Sequence, residues 1–137
     1  MDCIFCKIAS KEAEAEILYE NEEVISFLDV NPMNYGHALV IPKKHYTDFL
    51  AVPVSELNSI IKVVHNVSGA IKNSLKPDGI NLIANNGIAA GQSVFHFHFH
   101  IIPRFSDDEF KFRINLKKYK NGLLKEFGDK IRLEISK

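Results

Sequence analysis

The chain has 137 residues and a mass of 15.5 kDa, the size of one domain, and its 46% hydrophobic and 25% charged residues describe a globular protein with a buried core, which excludes multi-domain machines and disorder. Seventeen basic and seventeen acidic residues cancel, so the totals give no support to a sequence-independent polyanion binder. No apolar run approaches the ~20 residues of a membrane span, and no basic stretch with an apolar core opens the chain, so a cytoplasmic location is expected.

Taken in chain order, Cys3 to Ala9 has Ile4, Phe5 and Ile8 near helical spacing and predicts a short N-terminal helix. Ile17-Leu18-Tyr19 and Val24 to Leu28 read as a hairpin, with Glu20 to Glu23 as its turn. Asn31 to Gly36 is a loop by its Asn, Pro and Gly content, and His37 to Ile41 is a strand closed by Pro42. Pro53 suits a first helical turn, and Leu57, Ile60, Ile61, Val64, Val67, Ile71 and Leu75 mark one long amphipathic helix that Pro77-Asp78-Gly79 ends. Ile80 to Ala84 reads as a strand, Asn85 to Ser93 as a Gly-rich loop, and Val94 to Ile102 as a strand stopped by Pro103. In the tail, a helix near Gly122 to Phe127 is expected to give way to an extended Lys130 to Ile135. With no repeat and no linker, the expectation is a single domain over residues 1–137, with a core of about 3–105 and a tail of 106–137. Its class is α+β, a mainly antiparallel sheet with one long helix and a short N-terminal one. The tail is the basic part: up to Pro103 there are seven Lys/Arg against eleven Asp/Glu, and from Arg104 ten against six, an imbalance that could serve contact with phosphate but reads first as solvated surface.

His96, His98 and His100 alternate with Phe95, Phe97, Phe99 and Ile101. In a strand, alternate side chains point to opposite faces, so the imidazoles should share one face and the phenyl rings should enter the core on the other. Such a row could ligate a metal or do nucleophilic and acid–base work on phosphorus. The preceding Asn85-Asn86-Gly87 and Gly91-Gln92-Ser93 offer amide, hydroxyl and backbone donors, which suit a phosphate oxygen rather than a metal. Cys3 and Cys6 are too close in sequence to close a useful disulfide loop, so they are ligands, redox groups or small buried residues, and the absence of a βαβ context argues against a thioredoxin-like role. His65, on the flank of the long helix, reads as a surface or packing residue.

The run from Gly91 to Ile102 resembles the His-x-His-x-His signature of the histidine triad nucleotide-binding family, and the likeness extends to Cys3 to Ile8, Phe27-Leu28-Asp29 and Gly36 to His45, in the family's order. The resemblance implies an α+β histidine triad fold and a nucleotide-binding hydrolase. His98 would be the nucleophile that attacks the α-phosphorus of a nucleoside 5′-monophosphate derivative and holds the nucleotidyl group until water removes it. His100, Ser93, Gln92 and Asn85 match residues that hold the phosphate or the leaving group, and His37 supports the triad. Asp29 matches the carboxylate that accepts from both ribose hydroxyls, and Phe5, Ile8, Phe27 and Val30 match the apolar slot for the base. Cys3, Cys6, His45 and His96 match a structural zinc set of some bacterial members, which leaves His98 and His100 free and requires no catalytic metal. The Hint-like branch, a purine nucleotide phosphoramidase, is the favoured reading, with AMP derivatives as substrates. The Fhit-like dinucleoside polyphosphate hydrolases, which tend to carry Thr where Ser93 stands, are one alternative, and a non-catalytic nucleotide sensor or scaffold is another. The family's usual homodimer, with its sheets joined across the two-fold, is the expected assembly, with no membrane or specific nucleic acid as partner.

Overall fold

A computed structural model describes residues 2–135. Helix α1 spans Ile4–Ala9, and the strands are β1 (Ile17–Glu20), β2 (Val24–Leu28), β3 (Ala38–Pro42), β4 (Gly79–Ile83) and β5 (Phe99–Arg104). The long helix α2 (Val54–Leu75) precedes β4, and α3 (Leu123–Ile135) ends the described chain. The strands form one antiparallel sheet in the order β1-β2-β3-β5-β4. The α+β architecture is the one the sequence predicts, and no helix among the described residues is long and apolar enough to cross a membrane.

Both faces of the sheet centre are covered, so β2 and β3 are buried almost throughout instead of alternating with solvent. On one face Val24, Ala38, Val40 and Ile101 pack against Ile60, Val63, Val64, Val67 and Ile71 of α2. On the other, Ile25, Phe27, Leu39 and Ile41 meet Phe5 and Ile8 of α1. This second face carries the candidate site, because α1 covers only part of it. The apolar stripe of α2 is set slightly differently from the pattern expected: Val63 is inside, whereas Ile61 and Leu75 are 48% and 45% exposed.

Two strand limits differ from expectation. Residues 94–98 are outside the ladder, which starts at Phe99, because Pro42 lacks an N–H and its carbonyl accepts from the His96 ring (2.7 Å). The Phe97 N–H turns instead to the Tyr46 carbonyl (2.6 Å). Conversely Pro103 does not stop the strand: pairing with β3 ends at Ile101, and the Pro103 carbonyl faces the Asn34 amide, so the missing N–H on that side interrupts nothing. The tail also differs, since one helix runs through Leu123–Ile135 where a short helix and an extended segment were expected. Apolar residues spaced three and four apart, Leu124, Phe127, Ile131 and Ile135, sustain it.

Candidate active site

A cleft of about 520 Å³ opens beside α1 on the second face. Its walls include Phe5, Ile8, Phe27, Asp29, Val30, His37, Asn85, Ser93, His98 and His100. Each element delivers its share for a local reason. Cys3 caps α1 by accepting from the Cys6 N–H, which turns Phe5 and Ile8 inward. Phe5 sits edge-on to Phe27 (5.6 Å between centroids) and to His98 (5.1 Å). At the end of β2, Asp29 accepts from the Asn31 N–H (2.9 Å) while its own N–H bonds the His37 carbonyl (2.9 Å), which brings the carboxylate to the imidazole, 3.8 Å away. Gly36, at φ +94°, makes the turn into β3, and a Cβ there would collide with Leu75. In the loop before the triad, Gly91 holds φ +95° beside the Asn85 amide.

Backbone partners fix the tautomers of the imidazoles. A carbonyl only accepts, so the bond of His98 Nδ1 to the His96 carbonyl (2.7 Å) makes Nδ1 the protonated nitrogen and leaves Nε2 with its lone pair. The Met33 N–H donates to His37 Nδ1 (3.1 Å), so a neutral His37 carries its proton on Nε2 and gives it to His100 Nδ1 (2.9 Å). His100 then presents Nε2–H. The site therefore holds a lone pair on His98 and a donor on His100, with ring centroids 4.8 Å apart.

Burial keeps these rings neutral. It lowers the basicity of His98 and His37, opposed in each case by the Asp29 charge. His100 is pushed down to about 4, first by burial and then by positive charge on His98 or His37. An uncharged His98 is what a nitrogen nucleophile requires at neutral pH.

A further buried imidazole, that of His96, belongs to a separate cluster. His96 donates through Nε2 to Pro42, so its Nδ1 lone pair faces both thiols, at 3.5 Å from Cys3 Sγ and 3.5 Å from Cys6 Sγ. His45 Nδ1 lies 3.4 Å from Cys6 Sγ, and the four ligand atoms lie within 4.8 Å of one another. A tetrahedral zinc with bonds of ~2.3 Å to sulfur and ~2.05 Å to nitrogen sets S and N about 3.5 Å apart, so the donor set fits that ion. Burial and the neighbouring Cys3 hold the Cys6 thiol above its ordinary range. Asp29, His37 and His100 also gather their polar atoms, but their nitrogens already bond each other.

All the site residues singled out in the sequence converge on these two places except Gln92. Its side chain accepts from the Gly87 N–H (2.8 Å) and donates to the Thr47 and Val94 carbonyls (2.7 and 3.1 Å), so it clamps the loop from within and does not line the cleft. Val30 is at the rim, 85% exposed, and Phe95 is 41% exposed, whereas Phe97 and Phe99 pack against each other (5.4 Å) on the α2 side. His65 is exposed, as expected of a surface residue. The groups that sequence reading missed are the Met33 N–H and the Pro42, Tyr46 and Thr47 carbonyls, and main-chain atoms leave no signal in residue types. Val94, beside the motif, and Leu39 also line the cleft.

The family model of the HIT domain matches residues 10–107, which contain all five strands and the three triad histidines. The chain belongs to the HIT family. A HIT-like protein of Methanocaldococcus jannaschii is 52% identical over 77% of this chain and 81% of its own. An adenylylsulfatase of Arabidopsis thaliana is 44% identical over 78% of this chain and 54% of its own. Among solved structures, a HIT family protein from Bacillus anthracis superposes with a TM-score of 0.90 at 39% identity, covering 97% of this chain and 96% of that one. A zinc-bound histidine triad family protein from Mycobacterium smegmatis gives 0.77 at 38% identity, covering 85% of each chain.

Proposed function

We propose that this HIT protein is a nucleotidyl hydrolase that cleaves purine nucleoside 5′-monophosphate derivatives, phosphoramidates foremost, through a covalent nucleotidyl-histidine at His98. The observation that carries the reading is the bond from His98 Nδ1 to the His96 carbonyl, which leaves Nε2 as the lone-pair nitrogen on a residue of the cleft wall. In the first step a bond forms from His98 Nε2 to the α-phosphorus while the bond from phosphorus to the leaving group breaks. The His100 Nε2–H, the Ser93 hydroxyl and the Asn85 amide are donors for the phosphoryl oxygens and for the departing group as it takes up a proton. Water then cleaves the phosphorus–nitrogen bond and releases the nucleoside monophosphate. His37 is a positioning residue that holds the His100 tautomer. Asp29 receives the ribose hydroxyls, and Phe5, Ile8, Phe27 and Val30 receive the base by stacking and apolar contact, four side chains that do not read its edge.

Cys3, Cys6, His45 and His96 hold a structural zinc in this proposal, supported by the 3.4–3.5 Å spacing of sulfur and nitrogen and by the zinc-bound mycobacterial relative. A closed four-ligand set leaves no open position for substrate, so the chemistry stays with His98. The chain acts as one domain and a homodimer, with β4 offering a free sheet edge to a second sheet.

The adenylylsulfatase relative is named for a nucleoside 5′-monophosphate derivative with a different leaving group. Side-by-side turnover of an adenosine phosphoramidate, adenylyl sulfate and a diadenosine polyphosphate tests the reading. The phosphoramidate should have the highest kcat/KM, and the guanosine analogue should be within about tenfold of it, because an apolar slot separates purines poorly. Turnover of the diadenosine polyphosphate alone would replace this reading with the dinucleoside polyphosphate one.

A further inference from the structure

The tautomer of His37 depends on a loop with few ties to the body. Met33 donates the N–H that keeps His37 Nδ1 unprotonated (3.1 Å), and Met33 belongs to residues 30–35, all exposed except the half-buried Asn34. An exposed loop with few buried contacts opens readily. The Asn31 N–H on Asp29 (2.9 Å) ties this loop two residues short of Met33. The tie on the other side is Asn34. Its carbonyl accepts from the His37 N–H (3.0 Å), and its amide nitrogen donates to the Pro103 carbonyl (2.9 Å) and to Asp108 Oδ2 (3.0 Å).

Asp108 is itself held from the sheet. Arg104, the last residue of β5, donates to Oδ2 through Nε (3.0 Å) and to Oδ1 through a terminal nitrogen (2.9 Å), and the Phe105 N–H also donates to Oδ2 (2.8 Å). A planar guanidinium on both oxygens of a carboxylate sets its orientation as well as its position. The other terminal nitrogen of Arg104 donates to Asn81 Oδ1 in β4 (2.8 Å), so the guanidinium is anchored in turn. These donors hold the Asp108 carboxyl well below the usual carboxylate range, and it is charged at neutral pH. The brace therefore starts inside the matched HIT domain, at Arg104, and closes one residue beyond its end.

We infer that Asp108 and Asn34 are positioning residues: their hydrogen bonds, carried from Arg104 to the loop of residues 30–35, hold the Met33 N–H against His37 and so decide that His100 faces the cleft with a donor. When that N–H moves away, the proton of His37 is free to sit on Nδ1, and Nε2 becomes an acceptor. The His100 proton then passes to Nδ1 to meet it, and His100 Nε2 turns a lone pair toward phosphoryl oxygens that need a donor. Each ring stays neutral, one proton having changed nitrogen in each. His98 is untouched, because its tautomer rests on the His96 carbonyl. The effect on turnover rests on the function proposed above, whereas the tautomers do not.

Nitrogen NMR of the full chain with ¹⁵N-labelled histidine, near neutral pH and without substrate, tests the inference. In the wild type His37 and His100 should each show one tautomer, with Nδ1 unprotonated and Nε2 protonated. Asn34→Ala and Asp108→Ala should populate both tautomers of the two rings, and kcat for an adenosine phosphoramidate should fall about tenfold while KM changes less than about threefold. Asn34→Ala leaves the Arg104–Asp108 pair whole, so it decides the matter if Asp108→Ala does not fold. Asp78→Ala separates positioning from mere stability: Asp78 accepts from the Ser106 N–H (2.8 Å) in the same turn without touching Asn34, so its loss should lower the urea midpoint and leave both tautomers as in the wild type. A single unchanged tautomer in Asn34→Ala and Asp108→Ala, equal mixing in Asp78→Ala, or the opposite tautomer in the wild type would overturn the inference. A wild type with the expected tautomers that turns over no nucleotide derivative would refute the proposed function instead, with the ¹⁵N signals still deciding the brace.

Discussion

The depressed basicity of His100 predicts how the protein responds to acid. Folded His100 takes its proton at about 4, whereas an unfolded histidine takes it near 6.5. Between these values the unfolded chain binds the extra proton, so stability falls as pH drops through 6.5 towards 4 and is fully retained above 6.5. Integrating over one site, the loss from pH 7.5 to pH 5 is about 2 kcal/mol. His37, His96 and His98 are shifted in the same direction by burial and steepen the fall. Replacing His100 with Asn removes its share alone. Urea unfolding of the wild type and His100→Asn at several pH values isolates that share as a difference of differences, because the other histidines remain in both. The variant should lose about 2 kcal/mol less than the wild type over this interval. Parallel curves, within about 0.5 kcal/mol, would show that the folded protein does not disfavour protonation of His100 and would refute the neutral-site argument.

The purified protein should contain one zinc per chain by elemental analysis, and its removal should lower stability by several kcal/mol, on the order expected of a structural site, while changing the catalytic step less. Metal-free protein with both thiols freely titratable would make Cys3 and Cys6 ordinary packing residues. Gln92→Ala should cost roughly 1–3 kcal/mol, because the Gly87 N–H loses its acceptor inside the loop, and it should raise KM. A urea midpoint unchanged from the wild type would contradict the clamp.

The elements that sequence made legible are those whose patterns are local. The turn at Glu20 to Glu23 separates two apolar runs, and the spacing from Leu57 to Ile71 permits only a helix, so the hairpin and α2 stand as read. The His/Phe alternation of residues 95–100 put His98 and His100 together, and both line the cleft although residues 94–98 are not a strand, since side chains alternate in any extended stretch and Pro42 decides only where the ladder begins. What escaped depends on main-chain partners or on another element. The choice of His98 Nε2 over Nδ1 rests on the carbonyl of His96, the His37 tautomer on the Met33 N–H, and the turning-in of Gln92 on the Thr47 carbonyl. The continuation of β5 through Pro103 rests on where β3 stops. In the tail, the segment from Lys130 to Ile135 expected to be extended is helix, in keeping with the three- and four-residue spacing of Leu124, Phe127, Ile131 and Ile135.

The central claim, a covalent bond from phosphorus to His98, is tested most directly by single-turnover reaction with an adenosine phosphoramidate, acid quench and peptide mass spectrometry. The wild type should yield a nucleotidyl adduct on His98 that forms and decays at rates compatible with turnover. His98→Asn should yield none, with turnover reduced on the order of 10³-fold or more and nucleotide affinity nearly unchanged. An adduct on another histidine, or a His98→Asn variant that retains more than roughly a tenth of the wild-type rate, would contradict the account.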